Sequence, residues 1–307
     1  MADKYRLVTR SDFDGLVSGA LLKSLNMIDE VKFVHPKDMQ DGKIEITNKD
    51  ITTNLPYVEA AHLAFDHHIS EVERVGTKNN YVTDPDAASC AGVVYEYFGE
   101  DKFPNIDEDI LFAVDKVDSG NFSQSDVLHP EGWVLLSFIM DSRTGLGRFK
   151  DFKISNYDLM MMLMDKCIEL PLEDILKLPD VVERTDLFFE QEEKFKDQLN
   201  RCSKIYGNLI LTDMRKEDPI FAGNRFMVYA LYPDQNISIQ AMWGRDQMNT
   251  VFAIGKSIVN LSSNTNIGEL CLKYGGGGHE AAGTCQVDND KAGTILKEIV
   301  QQINADS

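Results

Sequence analysis

The chain has 307 residues, 43% of them hydrophobic and 26% charged, which fits two domains and excludes a disordered or fibrous protein. A formal net charge of −19 excludes a protein that tracks long nucleic acid on a basic footprint; short anions remain admissible, because a bound divalent cation reverses the field inside a small pocket. Five scattered cysteines (Cys90, Cys167, Cys202, Cys271, Cys285) with no CxxC pair exclude a disulfide framework and a thiolate zinc site.

With no apolar leader and no run near the ~18 apolar residues of a membrane span, the expected location is the cytoplasm, away from membranes. In chain order, residues 5–9 read as a strand, residues 11–15 as an acidic turn and residues 16–25 as an apolar helix. Further strands are expected at 31–34, 51–53 and 62–65, and their spacing by crossovers predicts a parallel sheet. Ligands of such sheets collect beyond the carboxyl ends of the strands, which is where Asp12, Asp14, Asn54, Asp66, His67 and His68 would lie. Helical patterns follow at 87–98 and 107–114, the second delivering Asp118 to a turn, and again at 133–140 and 156–167. The charged stretch 182–202 reads as a solvated helix leading out of the first domain. Beyond it, strands are expected at 208–212, 225–232, 237–243 and 250–258, then a short helix, a glycine run, a strand and a last helix at 290–303. The fold class is therefore α/β: an N-terminal parallel-sheet domain (1–185), a linker helix (186–205) and a smaller C-terminal α+β domain (206–307), with the active site in the cleft between them.

Asp12 and Asp14 flank one residue on a turn closed by Gly15, which suits two hard oxygen ligands for Mn²⁺ or Mg²⁺ and equally suits helix capping. Asp66-His67-His68 leaves a buried strand as three potential ligands or acid–base groups, and alternation lets one histidine face a metal while the next faces substrate. Gly275 to Gly278, followed by His279, would expose successive backbone N–H groups to an anion. Arg143 lies in a glycine-containing basic loop and is a candidate phosphate contact. The methionines at 160–162 and 164 read as a packing face, and His35, His62 and His129 as structural or surface residues. Tyr274 and Phe252 are candidate base-stacking residues.

DFDG at 12–15, FDHH at 65–68, DSGNF at 118–122 and GGGGHEAAG at 275–283 together resemble the DHH superfamily of phosphoesterases that carry the DHH-associated C-terminal domain, in its nanoRNase and exopolyphosphatase-like branch. The resemblance spans nearly the whole chain. It implies that Asp12 binds one metal ion and that Asp14, His67 and Asp118 bind a second, usually Mn²⁺, with Mg²⁺ an alternative. It also implies that His68 faces the scissile phosphate, and that Gly275, Gly276, Gly277, Gly278 and His279 hold the far phosphate or nucleotide of the substrate. Water activated on the metal would be the attacking group.

The chain departs from the family pattern at two places. A histidine is often found two or four residues before the first motif aspartate, where this chain has Arg10 and Val8. The bridging aspartate of a middle strand is replaced by Asn54, with Asp50 at the strand's other end. The expectation is a competent site at Asp14, His67 and Asp118, a weakened first site, and Arg10 supplying part of the missing charge. The expected function is metal-dependent hydrolysis of short phosphodiesters, either oligoribonucleotides or linear or cyclic dinucleotides. The alternatives are an exopolyphosphatase or nucleotide phosphatase acting on terminal phosphates, and a ligand-binding relative with a degraded first site. The expected partner is a short phosphorylated substrate, and a homodimer is compatible with the sequence.

Overall fold

The computed structural model describes residues 4–306 and resolves them into two units. The first comprises Met1–Asn121, Glu131–Ser142 and Leu146–Asp186, and the second Phe122–Pro130, Arg143–Gly145 and Leu187–Ser307. Among the described residues no helix is long and apolar enough to cross a membrane.

The first unit begins with β1 (Tyr5–Thr9), α1 (Phe13–Ser24), β2 (Ile28–Phe33), α2 (Pro36–Gln40), β3 (Asp50–Thr53), β4 (Leu63–Asp66), α3 (Ile69–Val75), β5 (Tyr81–Thr83), α4 (Cys90–Phe98) and α5 (Glu108–Ser119). The five strands form one parallel sheet in the order β2-β1-β3-β4-β5. The order reverses between β1 and β3, so the chain leaves these two neighbouring strands at their carboxyl ends in opposite directions and opens a crevice there. Every residue of α1 from Phe13 to Leu22 is buried, as suits a helix covered on all sides. Gly15 is required in its first turn: a Cβ there would lie 2.1 Å from the Arg10 carbonyl oxygen. Leu7, Leu16, Leu21, Ile51, Phe65 and Leu136, each below 2% exposure, belong to the core.

Asp118 is not in a turn, as the sequence pattern suggested, but in the last turn of α5, which ends at Gly120 in the left-handed conformation. Five more helices follow, α6 (Gln124–Leu128), α7 (Gly132–Met140), α8 (Asn156–Glu169), α9 (Leu172–Ile175) and α10 (Pro179–Cys202). The α8 face carrying Met160 and Met164 is buried. The expected solvated helix is amphipathic instead: Val181, Arg184, Phe188, Phe195 and Leu199 recur at helical spacing and are buried. The buried Arg184 gives Nη1 to the Asp180 carbonyl and Nη2 to the Ile154 carbonyl, and stacks on Phe152.

The second unit carries β6 (Ser203–Tyr206), β7 (Leu209–Asp213), α11 (Met227–Leu231), β8 (Ile237–Trp243), β9 (Thr250–Lys256), α12 (Ile267–Leu272), β10 (Gly277–His279), β11 (Ala282–Val287) and α13 (Ala292–Ala305). Its six strands run β10-β11-β9-β8-β7-β6, antiparallel except for the parallel pair β7–β8. Ile237, Ile239, Phe252, Ile254, Ile299 and Ile303 pack into one core between sheet and helices. The strand expected over 225–232 is helix α11; Met227 to Ala230 are all buried, and a short continuous apolar run carries no period to separate the two structures.

Candidate metal centre

Three segments distant in sequence meet beyond the carboxyl ends of β1, β3 and β4. Asp14 sits in the first turn of α1 and is 1% exposed. Its Oδ2 accepts the Cys90 N–H at 3.1 Å and its Oδ1 the Ala91 N–H at 2.7 Å. These are donors of the α4 N-terminus, whose dipole favours an anion. His67 follows β4, and its Nδ1 lies 3.2 Å from the Ala87 carbonyl oxygen. A carbonyl accepts only, so Nδ1 carries a hydrogen, and Nε2 is the nitrogen that can bind a metal once its own proton is displaced. Nε2 is buried and makes no well-aligned hydrogen bond, yet stands 3.1 Å from Asp118 Oδ2.

The ligand atoms of Asp14, His67 and Asp118 all lie within 4.8 Å of one another. Adjacent ligands at octahedral bond lengths of 2.0–2.2 Å are about 3 Å apart, so the His67–Asp118 separation accommodates a shared ion as well as a direct ion pair. The electrostatics agree. Burial, then the charges of Asp118 and Asp12, push the Asp14 carboxyl well above its usual range. Burial opposes charge on His67, but Asp118 and Asp14 outweigh it and raise the imidazole to about 9. A desolvated carboxylate, a second carboxylate and an imidazole nitrogen whose ligand atoms converge fit a divalent cation.

His68 is directed differently. Its Nδ1 is 2.7 Å from Oδ1 of Asp66, which is 1% exposed, and Asp66 Oδ2 accepts the Tyr81 hydroxyl at 3.2 Å. The ring itself is 42% exposed, so Asp66 fixes one nitrogen and leaves Nε2 for a ligand.

The structure does not add the other expected ligands to this cluster. Asp12 is the N-cap of α1, its Oδ1 accepting the Gly15 N–H at 3.0 Å, and its Oδ2 lies 2.9 Å from Arg10 Nε. Asn54, 2% exposed and in the left-handed conformation at φ 54°, turns Nδ2 toward Asp12 at 3.4 and 3.5 Å. Asp50, at the amino end of β3, is taken up by Arg6 Nε at 2.7 Å and the Thr47 N–H at 2.6 Å; it faces away from the strand ends that carry the ligands.

In the second unit, the glycine run is not a free cradle of four N–H groups. Gly275 N–H bonds the Leu272 carbonyl and Gly276 N–H the Cys271 carbonyl, closing the end of α12. Gly277, Gly278 and His279 form the edge strand β10. The glycines serve close approach: a Cβ on Gly276 would meet the Thr284 oxygen at 2.1 Å, and one on Gly278 the Ala282 oxygen at 2.3 Å, whereas Gly277 faces open space. His279 is exposed. Arg143 is exposed and belongs to the second unit. Phe252 is 0% exposed and has no face for a base, and Tyr274 packs against the core with its hydroxyl donating to Glu298 Oε2.

Tyr81, Ala87, Cys90 and Ala91 were not anticipated as site residues. Ser89 before an apolar run was a readable helix start, and its side chain does accept the Gly92 N–H, so an anion at that N-terminus could have been inferred. Ala87 and Tyr81 act through a backbone carbonyl and a cross-strand neighbour of β4, which no local pattern announces.

A scan against protein-family models finds no match, and neither does a search of curated proteins. Among solved structures, the pGpG-specific phosphodiesterase PggH from Vibrio cholerae is 55% identical, matches 99% of this chain and 100% of its own, and superposes with a TM-score of 0.90. The DHH domain of a member of the s1p family of ribosomal proteins shares the fold at 12% identity, 98% and 87% coverage and a TM-score of 0.58. CDC45 from Entamoeba histolytica does so at 9% identity, 97% and 95% coverage and a TM-score of 0.52. The chain belongs to the DHH superfamily of phosphoesterases. It is a hydrolase of that class.

Proposed function

We propose that this enzyme is a metal-dependent phosphodiesterase that cleaves short linear dinucleotides, with 5′-phosphorylated diguanylate (pGpG) the first substrate to test. The observation that carries this reading is 55% identity over 99% of the chain to a pGpG-specific phosphodiesterase, joined to a cluster of Asp14, His67 and Asp118 whose ligand atoms converge. The formal net charge of −19 favours a substrate with few phosphates over a long polyanion.

Asp14, His67 and Asp118 are the proposed ligands of a divalent cation, Mn²⁺ or Mg²⁺. Such an ion supplies Lewis acidity and a source of nucleophilic oxygen at neutral pH. The chain's own groups do the rest. The α4 N–H donors hold Asp14 in place, and the Ala87 carbonyl aims His67 Nε2 at the centre. His68, anchored on Asp66 through Nδ1, offers Nε2 to exchange a proton with a phosphoryl or leaving oxygen. Within the second unit, Gly277, Gly278, His279 and Arg143 are proposed phosphate-binding residues, Gly275 and Gly276 having their N–H groups already engaged.

The test is hydrolysis of a panel of pGpG, other 5′-phosphorylated dinucleotides, a cyclic dinucleotide, a 3′,5′-bisphosphate and polyphosphate, with Mn²⁺ and with chelator. Turnover of dinucleotides that chelator abolishes and His68→Ala reduces is expected. Preferential attack on polyphosphate would replace this reading with the exopolyphosphatase one, and tight binding without turnover would make the chain a sensor.

A further inference from the structure

The carboxylate of Asp12 is near enough to the cluster for its charge to act on Asp14, yet donors already occupy it. Arg10 Nε lies 2.9 Å from Oδ2, the Gly15 N–H donates to Oδ1 at 3.0 Å, and Asn54 Nδ2 approaches both oxygens. A guanidinium has no lone pair to offer a metal. Asn54 does have an oxygen, but with Nδ2 on Asp12 its Oδ1 is buried without a partner, a cost of the kind retained where a second requirement is met. At Asp14, His67 and Asp118 three ligand atoms converge within 4.8 Å of one another; at Asp12 the neighbours are a guanidinium and an amide that present donors instead of ligand atoms. Arg10 pairs with Asp12 through Nε, and its side chain is 38% exposed, so part of its five-donor fork faces solvent.

We propose that the centre is built for a single metal ion, and that the Arg10 guanidinium, fixed by Asp12, stands in for a second one by gripping a phosphoryl oxygen of the substrate. This rests on the metal-centre reading above. Arg10 supplies positive charge and planar hydrogen bonding to phosphate. It cannot acidify water, so activation of the nucleophile falls to the one ion and to His68.

The experiment reads metal stoichiometry independently of turnover, by Mn²⁺ titration of the full chain with free Mn²⁺ followed by electron paramagnetic resonance. Wild type is expected to bind one Mn²⁺ per chain, to lose it in His67→Ala and to keep it in Asp12→Asn and Arg10→Ala. Combining Arg10→His with Asn54→Asp, which turns two donors into ligands, is expected to create a second site. Arg10→Ala should weaken binding of pGpG about ten- to a hundredfold, the loss of a charged bidentate contact, and Arg10→Lys should recover part of it. Two ions in wild type, a spin-coupled Mn²⁺ pair, loss of the ion in Arg10→Ala, or unchanged pGpG binding in that variant would each overturn the proposal. One bound ion with no dinucleotide turnover would instead sink the phosphodiesterase reading and leave the ion count standing.

Discussion

Asp66→Asn changes one atom in a buried, charged hydrogen-bond relay and tests how His68 is aimed. In the wild type the carboxylate, 1% exposed, can only accept, so it draws the hydrogen of His68 onto Nδ1 at 2.7 Å and takes the Tyr81 hydroxyl at 3.2 Å. The amide can meet the ring with Nδ2, which forces the opposite tautomer and puts hydrogen on Nε2. It can instead meet it with Oδ1, which keeps the tautomer through a neutral bond. A bond to an ionised group contributes about 1.5–3 kcal/mol and a neutral one about 0.5–1.5, so orientation weakens by roughly 1–2 kcal/mol in either case. Where the tautomer is wrong, kcat falls by about 10²–10⁴, the span of general acid–base catalysis. Steady-state hydrolysis of pGpG at saturating Mn²⁺, with Mn²⁺ affinity and Tm measured on the same protein, checks this. A lowered kcat with unchanged Mn²⁺ affinity is expected, because Asp66 is outside the ligand cluster. A kcat within about twofold of wild type would refute the relay; loss of Mn²⁺ in parallel would show that Asp66 acts on the centre instead.

Two further predictions concern stability. Asp50 is held below its usual 3.8 by Arg6 and the Thr47 N–H, which outweigh its burial, so its contribution is present above that value and lost as pH falls through the lower folded value. Asp50→Asn should therefore cost about 1–2 kcal/mol in urea unfolding at pH 7, and the difference should vanish in acid; a gap that persists at low pH would show that the pair contributes nothing through charge. Gly278→Ala forces a methyl within 2.3 Å of the Ala282 oxygen and should destabilise by about 1–3 kcal/mol, whereas Gly277→Ala meets nothing within 4 Å and should unfold like wild type. Equal midpoints for the two would mean that β10 is not packed as described.

The sequence was most readable where chemistry and period coincide. Asp14, His67 and Asp118 were legible because each stands at the end of an apolar element or a recognisable motif, and the parallel sheet because its strands alternate with crossovers. Asp12 illustrates the limit. The same carboxylate serves as ligand or cap depending on its neighbours, and Asn54, one of those neighbours, reaches it only in three dimensions. The glycine run had a similar ambiguity: four glycines promise free N–H groups, but those of Gly275 and Gly276 are spent on the end of α12, and Gly276 and Gly278 are needed for close approach to β11. Residues 225–232 failed for want of a period, and the buried face of α10 was masked by its many charges.

The position of Asp118 at the end of α5 bears on how fast an ion could come and go. Asp14 is clamped by two N–H groups inside a fully buried turn, and His67 is tethered to a carbonyl. Asp118 belongs to the last turn of a helix that stops at a left-handed glycine, and its side chain is 23% exposed. Terminal turns open with far less work than helix interiors. In a centre with one such ligand, exchange would be gated by the fraying of a single helical turn: residence time would follow the stability of that turn, while affinity followed all three side chains.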